Sequence, residues 1–400
     1  MRVLHIEKMP FANSGVTSYI RALTRLQTRR GHEVFLFGCA KNADPSLPLF
    51  HDYQAVHRPM SVWGMIHNSE AANKLEAHLR SQPADVAHLH NLYHHLTPSI
   101  LPVLARRRIG MVMTVHDYRL ACPAKHFLDR NGTCTRCLPN RFHHAVRRDC
   151  SGPAGAALAL ESYCHRFARS YFRWVDLFVC PTEFMRSILL AIGAPAGKCV
   201  VVANPVEPPA LPGDARQSPR ELLFVGRLSG EKAPELMLDL AQRLGDTQVT
   251  IVGDGLLRES LQADAHRRQL GNVVFAGGVD HEKLGAYYAS ATAVVITSRC
   301  FENSPQVLLE AMSARRCVIA PDHGPMRQWV RDGVTGRLFK PGSSESLSTV
   351  AGEVLADSAA GQRMAAAGAE LVAARHNPQA VADRLDELYQ EANRRCALRW

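Results

Sequence analysis

The sequence predicts an α/β protein built from two doubly wound domains that face a cleft. Three observations carry this. Four hundred residues exceed one ordinary hydrophobic core and suggest two domains of about 200 residues each. Short apolar runs alternate with segments of helical periodicity, which implies parallel strands joined by crossover helices. That alternation also breaks once, at a proline-rich stretch, and then restarts.

Taken in order, "RVLHI" reads as the first strand, "EKMPFANSG" as a loop, and Ile20, Leu23 and Leu26 as the buried face of a helix. Gly31 ends that helix, "EVFLFG" is the second strand, and "DVAHLH" and "GMVMTVHD" are two apolar runs ending in His or Asp. Strands and helices continue through "CVVVANPV" and close a first domain over 1–204. Pro205, Pro208, Pro209, Pro212 and Pro219 make 205–219 an extended linker or hinge. A second domain over 220–377 runs through "ELLFVG", a helix from Pro234 to Leu244, "QVTIVGDG", a helix through Leu257 and Leu261, "VVFAGGV", "AVVITS", a helix at Ser304 and "CVIAP". A last helix, Pro378 to Arg395 within 378–400, is expected to return to the first domain as a clasp. In such sheets ligands bind beyond the carboxyl ends of the strands.

The hydrophobic fraction of 46% and charged fraction of 21% fit a globular enzyme rather than a disordered chain. No apolar run reaches a membrane span, and "MRVLHIEK" reads as a strand rather than a signal peptide, so a cytoplasmic location is expected. The net charge of +10 favours anionic partners. Much of the excess lies in "RFHHAVRRDC" and "YCHRFARSYFRW", where interleaved basic and aromatic residues suit an anionic membrane surface or simply a solvated basic face. No nucleic-acid-binding pattern accompanies the charge, and no nucleic-acid partner is expected.

Candidate site residues follow the predicted strands. Ser304 as N-cap and Pro305 at the first helical position would start a helix whose free N–H groups attract an anion. Glu302 precedes it and Glu310 lies nearly two turns in, where its carboxylate can bond a ligand hydroxyl. Arg227 and Lys232 in "FVGRLSGEK" place two cations in one strand-to-helix loop, suited to a diphosphate; the alternative is plain surface charge. Gly15 stands between a strand and a helix without the further glycines of a dinucleotide-binding fingerprint. His116, at a strand end beside Asp117, could orient a reacting hydroxyl or pack as a core histidine, and His88, His90, His94 and His95 read as lining or packing rather than metal ligands. Eleven cysteines include Cys122, Cys134, Cys137 and Cys150 within an insert over about 118–152. Their spacing admits a structural Zn site, free or redox-sensitive thiols, or a disulfide.

Together, "ANSGVTSYIRALTRLQTRRGHEV", "DVAHLHNLYHHLTP", "TVHDYRLACP", "FVGRLSGEK", "IVGDG" and above all "FENSPQVLLEAM", with Glu302 and Glu310 enclosing seven residues, resemble the retaining glycosyltransferases of family 4, which have the two-Rossmann GT-B fold. The resemblance implies that Arg227 and Lys232 hold a nucleotide-sugar diphosphate, that Glu310 binds the ribose and that Glu302 approaches the donor sugar. It places Asn303 and Ser304 near sugar or phosphate, Gly15 against the phosphates, His116 beside the transferred sugar, and the base near Gly253 and Val279. It further implies transfer of a hexose or N-acetylhexosamine from a UDP- or GDP-sugar to a saccharide or lipid-linked acceptor, with retention and without a catalytic metal. The Cys-rich insert is similar to one in family members of surface-polysaccharide synthesis. A small soluble natural-product acceptor, a nucleotide-sugar epimerase and a non-catalytic sugar-nucleotide binder stay open as alternatives.

Overall fold

The computed structural model describes residues 1–8, 14–39, 50–53, 61–212, 218 and 220–399. Most of the predicted "EKMPFANSG" loop, and Pro219 with 213–217 of the predicted hinge, lie outside them. The chain divides into two compact units, one of Met1–Arg130, Cys134–Pro205 and Pro378–Trp400, the other of Asn131–Thr133 and Val206–Asn377.

Unit 1 is built on a seven-stranded sheet ordered β3-β2-β1-β4-β5-β8-β9. Its strands are β1 (Arg2–Glu7), β2 (Glu33–Cys39), β3 (Phe50–Tyr53), β4 (Val86–Leu89), β5 (Gly110–Thr114), β8 (Leu177–Cys180) and β9 (Cys199–Val201). The intervening β6 (Leu128–Asp129) and β7 (Gly132–Thr133) pair only with each other. Every pairing in the large sheet is parallel. The central strands read as unbroken apolar runs because both of their faces are covered, as parallel sheets require. Strand order reverses between β1 and β4, so the first helix, Gly15–Arg29, leads outward toward β2 while later crossovers lie on the other side of β1.

Unit 2 repeats this plan with β10 (Glu221–Val225), β11 (Gln248–Val252), β12 (Val273–Gly277), β13 (Ala293–Val295), β14 (Cys317–Pro321) and β15 (Arg337–Phe339), in the order β12-β11-β10-β13-β14-β15. Its pairings are again parallel, and order reverses between β10 and β13. One apolar cluster, with Leu222, Phe224, Met237 and Ile319, covers one face. Another, with Leu223, Tyr288, Val294 and Met326, covers the other.

The last helix, Pro378–Ala397, belongs to unit 1. Its face of Val381, Leu385, Leu388, Tyr389 and Ala392 completes the cluster formed by Val3, Ile20, Leu23 and Val112. The fit is close: Gly110 donates its N–H to Asn393 Oδ1 at 3.2 Å, and a Cβ on Gly110 would stand 2.3 Å from that oxygen. Arg30 adds ion pairs to Asp383 at 2.6 Å and Asp386 at 2.9 Å. The first part of the proline-rich segment is packed rather than loose. Val206 joins a unit 2 core cluster, and the Ala210 carbonyl sits against Gly285, where a Cβ would come within 1.8 Å.

Candidate functional site

In unit 2 the candidate residues follow the carboxyl ends of β10 and β13, the two strands at the order reversal. The loop after β10 carries Arg227 and Lys232, and the loop after β13 carries Glu302. One side-chain bond and one backbone bond hold the two loops together: Thr297 Oγ1 donates to the Lys232 carbonyl at 2.5 Å, and Arg299 N–H to the Glu231 carbonyl at 2.9 Å. Lys232 Nζ reaches Glu302 Oε1 in a short ion pair, and Ser298 Oγ donates to the same oxygen at 2.6 Å. Burial alone would lower the Lys232 pKa. The facing Glu302 charge outweighs it and leaves the ammonium above its ordinary value. Among the described residues the Arg227 guanidinium has no hydrogen-bond or ion-pair partner, it is exposed, and it lies near enough to Lys232 to repel it.

Three buried polar atoms around this pair have no partner: Ser229 Oγ, Ser304 Oγ and His323 Nδ1. Native proteins leave few such atoms unbonded, so their grouping points to a polar ligand. His323 itself is anchored through Nε2–H to the Ser298 carbonyl at 2.9 Å.

The helix start differs from the sequence expectation. The helix runs Gln306–Ser313, and Pro305, with ψ 102°, is the extended residue before it. That extended step turns Ser304 away from the first-turn N–H groups, so Ser304 is not the cap and no side chain caps this helix. Glu310 is therefore just over one turn in, rather than nearly two. Asn303 and Glu310 are both buried. Tyr288 O–H donates to Glu310 Oε2 at 2.8 Å, and His281 Nε2 bonds Oε1 at 3.0 Å. Burial and the Glu310 charge push the Tyr288 pKa well up, so the phenol stays a donor.

Val279 is half-buried against the same core. Gly253, at φ +140°, has a reason of its own to be glycine: a Cβ there would lie 1.8 Å from the Gly226 carbonyl, where β10 and β11 end together. Backbone approach, rather than a ligand, already demands it.

In unit 1, Gly15 is not a loop glycine. It is the first residue of the helix Gly15–Arg29, capped by Ser14 Oγ accepting from Thr17 N–H at 3.0 Å. A Cβ there would meet nothing within 4 Å. Tyr19 of that helix sets its ring edge on His116, with centroids 4.9 Å apart. His116 bonds through Nε2 to His90 Nδ1 at 2.9 Å, and burial lowers its pKa to about 4. Among the described residues only His5, His88 and His90 bring three potential metal-ligating atoms within 4.8 Å of one another. All three rings are engaged in hydrogen bonds with other side chains, which agrees with packing rather than metal binding. Unit 1 also holds a small cavity of about 40 Å³ bordered by Tyr93, Arg119, Glu161, Arg166 and Arg169.

The four insert cysteines are all free thiols, and Cys137 lies near enough to the other three sulfurs to feel their charge, but no three of the four bring their sulfurs within 4.8 Å of one another. Phe127 links two of them, its N–H directed at the Cys122 sulfur and its carbonyl accepting from Cys134 N–H at 2.7 Å. Ala145 links the others, packing on Cys137 and accepting from Cys150 N–H at 3.0 Å. Burial first, then the neighbouring sulfurs, push Cys137 up to about 12 and Cys150 to about 11.

Ser298, His281, Tyr288 and His323 escaped the sequence reading. Ser298 and His323 follow β13 and β14 directly, which is the signal that could have found them. His281 and Tyr288 carry no such mark.

Comparison with known proteins agrees with this construction. The model described as Glycosyltransferase Family 4 matches residues 13–208, and that described as Glycosyl transferases group 1 matches 213–371. An alpha-D-kanosaminyltransferase of Streptomyces kanamyceticus is 31% identical over 175 residues, covering 42% of this chain and 45% of the relative, so the match spans about half of that relative's length. A glycogen synthase of Mycobacterium tuberculosis is 27% identical over 98% of this chain and 95% of its own. The structure of Anabaena HepE in complex with UDP and glucose superposes with a TM-score of 0.72 at 16% identity, covering 98% of this chain and 99% of that one. Two parallel-sheet units, their site loops at the strand-order reversal and the two matched models converge on one conclusion: the chain belongs to the family 4 glycosyltransferases, of GT-B fold.

Proposed function

We propose that the protein is a retaining glycosyltransferase that moves a hexose or N-acetylhexosamine from a UDP- or GDP-sugar to a saccharide or lipid-linked acceptor in cell-surface polysaccharide synthesis. The observation that carries this is the Lys232–Glu302 pair beside the unpaired Arg227 guanidinium, with three unbonded buried polar atoms around it. Arg227 and Lys232 offset the charge gathering on a departing diphosphate. Glu302 holds Lys232 in place and faces the donor sugar, flanked by Asn303 and Ser304. Glu310 accepts from ribose hydroxyls, with Tyr288 orienting its carboxylate and His281 yielding its place to the ribose. Val279 and the Gly253 backbone border the base. Gly15 leaves room at the start of its helix for phosphate oxygens, and His116 bonds the transferred sugar.

No carboxylate nucleophile is assigned. Same-face attack, with the leaving phosphate taking the acceptor's proton, needs only positioning and leaving-group stabilisation. A panel of UDP-, GDP- and ADP-sugars in a thermal-shift assay, followed by NMR of the product's anomeric configuration, tests the reading. A shift with one nucleotide class and a retained anomer is expected. No shift with any of them refutes the donor site, and release of an epimer without acceptor would make the protein an epimerase instead.

The acceptor assignment rests on the surface of unit 1. Phe167 is 82% exposed and Trp63 78%, their short helices contact each other, and exposed Arg169 and Arg173 lie close in sequence. This combination suits an anionic membrane surface at the cytoplasmic face. No helix of the described residues is long and apolar enough to cross a membrane. Co-sedimentation with anionic but not zwitterionic vesicles is the expected result. Binding to neither would favour a small soluble acceptor instead.

Cys122, Cys134, Cys137 and Cys150 are proposed to close on a structural Zn that pins the insert. Burial raises the Cys122 pKa, and the N–H groups of Phe127, Ala124 and His126 offset this only in part, so a bound metal would itself have to favour the thiolates it needs. One zinc per chain by elemental analysis of protein purified without chelator is expected, and no metal overturns it.

A further inference from the structure

We infer that Gln27, fully buried in the first helix, is a positioning residue that fixes which nitrogen of His116 carries the proton. It would act through a continuous chain of buried imidazoles. The inference deepens the role given to His116 above and rests on that reading only for its catalytic consequence.

The bonds run in one direction. Gln27 Nε2 donates to Tyr389 Oη at 2.8 Å, so Gln27 Oε1 faces His5 Nε2, also at 2.8 Å. An amide oxygen can only accept, so His5 Nε2 is protonated. His5 is wholly buried and neutral, which leaves its Nδ1 an acceptor. His90 Nε2, 2.9 Å away, must then donate. His90 is equally buried, so its Nδ1 accepts, and the donor 2.9 Å from it is His116 Nε2. A neutral His116 thus carries its proton on Nε2 and presents an acceptor at Nδ1. On the other branch Tyr389 has accepted from Gln27, so its own proton goes to His88 Nδ1 at 2.7 Å, and His88 Nε2–H donates to Thr114 Oγ1 at 2.7 Å.

Turning the Gln27 amide over reverses every bond in both branches. The network therefore has two fully bonded proton arrangements, and the Gln27 amide and the His116 tautomer are a single variable. Burial reinforces this: Gln27, His5, His88, His90 and Tyr389 are each at most 2% exposed, so no water can substitute for a misdirected donor.

Histidine-selective ¹⁵N NMR of the full-length protein tests the inference, with the His116 signals assigned by their loss in His116→Asn. In the wild type, Nε2 is expected to show the shift of a protonated ring nitrogen and Nδ1 that of an unprotonated one. The opposite tautomer would put the Gln27 amide in the turned-over arrangement and overturns the direction assigned to the chain. Gln27→Met removes the director at similar volume, and the His116 signals should move to a mixture of tautomers; unchanged signals also overturn it. Should Gln27→Met not fold, Tyr389→Phe removes the acceptor that orients the amide and predicts the same mixing. Activity separates the two readings. If kcat falls about 10-fold while the donor KM stays within about 2-fold, both stand. A shifted tautomer with unchanged kcat leaves the relay intact and sinks the catalytic role of His116.

Discussion

Glu310→Gln separates donor binding from folding, because the substitution keeps the shape and changes only the charge. The buried carboxylate accepts from Tyr288 at 2.8 Å and pairs with His281 at 3.0 Å. The glutamine oxygen can keep the Tyr288 bond, and its amide can turn toward an unprotonated His281 nitrogen. Stability should therefore change by only about 1 kcal/mol. Ribose binding is another matter. Two hydroxyls donating to a carboxylate make charge-assisted bonds of about 1.5–3 kcal/mol each, whereas an amide offers one neutral acceptor and one donor facing a hydroxyl. A net loss of about 2–3 kcal/mol corresponds to roughly 30- to 150-fold weaker binding. Titration calorimetry with the cognate nucleoside diphosphate reads this directly, with the melting temperature as the folding control. A dissociation constant within about 3-fold of wild type, in protein that melts normally, would refute the ribose assignment.

Lys232→Ala should reduce kcat about 100-fold or more with a smaller change in donor affinity, since the ammonium acts most on charge that develops during departure; equal losses in both would assign it to ground-state binding. The same variant leaves Glu302 without its cation but with Ser298, and the pair is partly exposed, so a stability loss of about 1–2 kcal/mol is expected in urea titrations. Gly253→Ala forces a Cβ to 1.8 Å from the Gly226 carbonyl at a left-handed φ, and should cost about 2 kcal/mol or more even without ligand; a neutral result would contradict the close approach of β10 and β11. Acid should destabilise unit 1 earlier than carboxylate titration would. Burial holds His5 and His116 at about 4, below the unfolded value near 6.5, so their contribution is complete above about pH 6.5 and drains away as pH falls toward 4. Each adds a slope of about 1.4 kcal/mol per pH unit in that window, and a urea midpoint that is flat from pH 7 to 5 would show that the imidazoles are not buried as neutral rings.

The sheets were readable because parallel strands buried on both faces leave unbroken apolar runs such as "ELLFV" and "GMVMT", and the crossovers between them keep helical periodicity. The last helix could be placed because Val381, Leu385, Leu388 and Ala392 recur on one face. The start of the Glu310 helix was misread at Ser304 because local capping preference and proline at the first position pointed one residue too early; the extended ψ of Pro305 depends on how the Glu302 loop is tied to Ser298 and Lys232, a contact between distant residues. Lys232 and Glu302 could each be named from their loops, but their mutual pairing could not. Gly253 shows that a sequence reveals the need for a glycine without revealing what approaches it: the Gly226 carbonyl alone excludes a Cβ there, whatever its backbone borders. The histidine chain was least legible, because Gln27, His5 and Tyr389 are ordinary residues until the fold closes the distance between them.

The return of Pro378–Ala397 to unit 1 also dictates an order of assembly. A ribosome delivers all of Val206–Asn377 before it delivers the helix that finishes the first sheet, so unit 2 can close while unit 1 still exposes Val3, Ile20 and Val112. During that interval the nascent first domain is the vulnerable partner, with an open apolar face and unsatisfied histidines waiting for Tyr389. Unit 1 thus cannot be completed until the last helix has been made, whereas unit 2 needs nothing beyond Asn377.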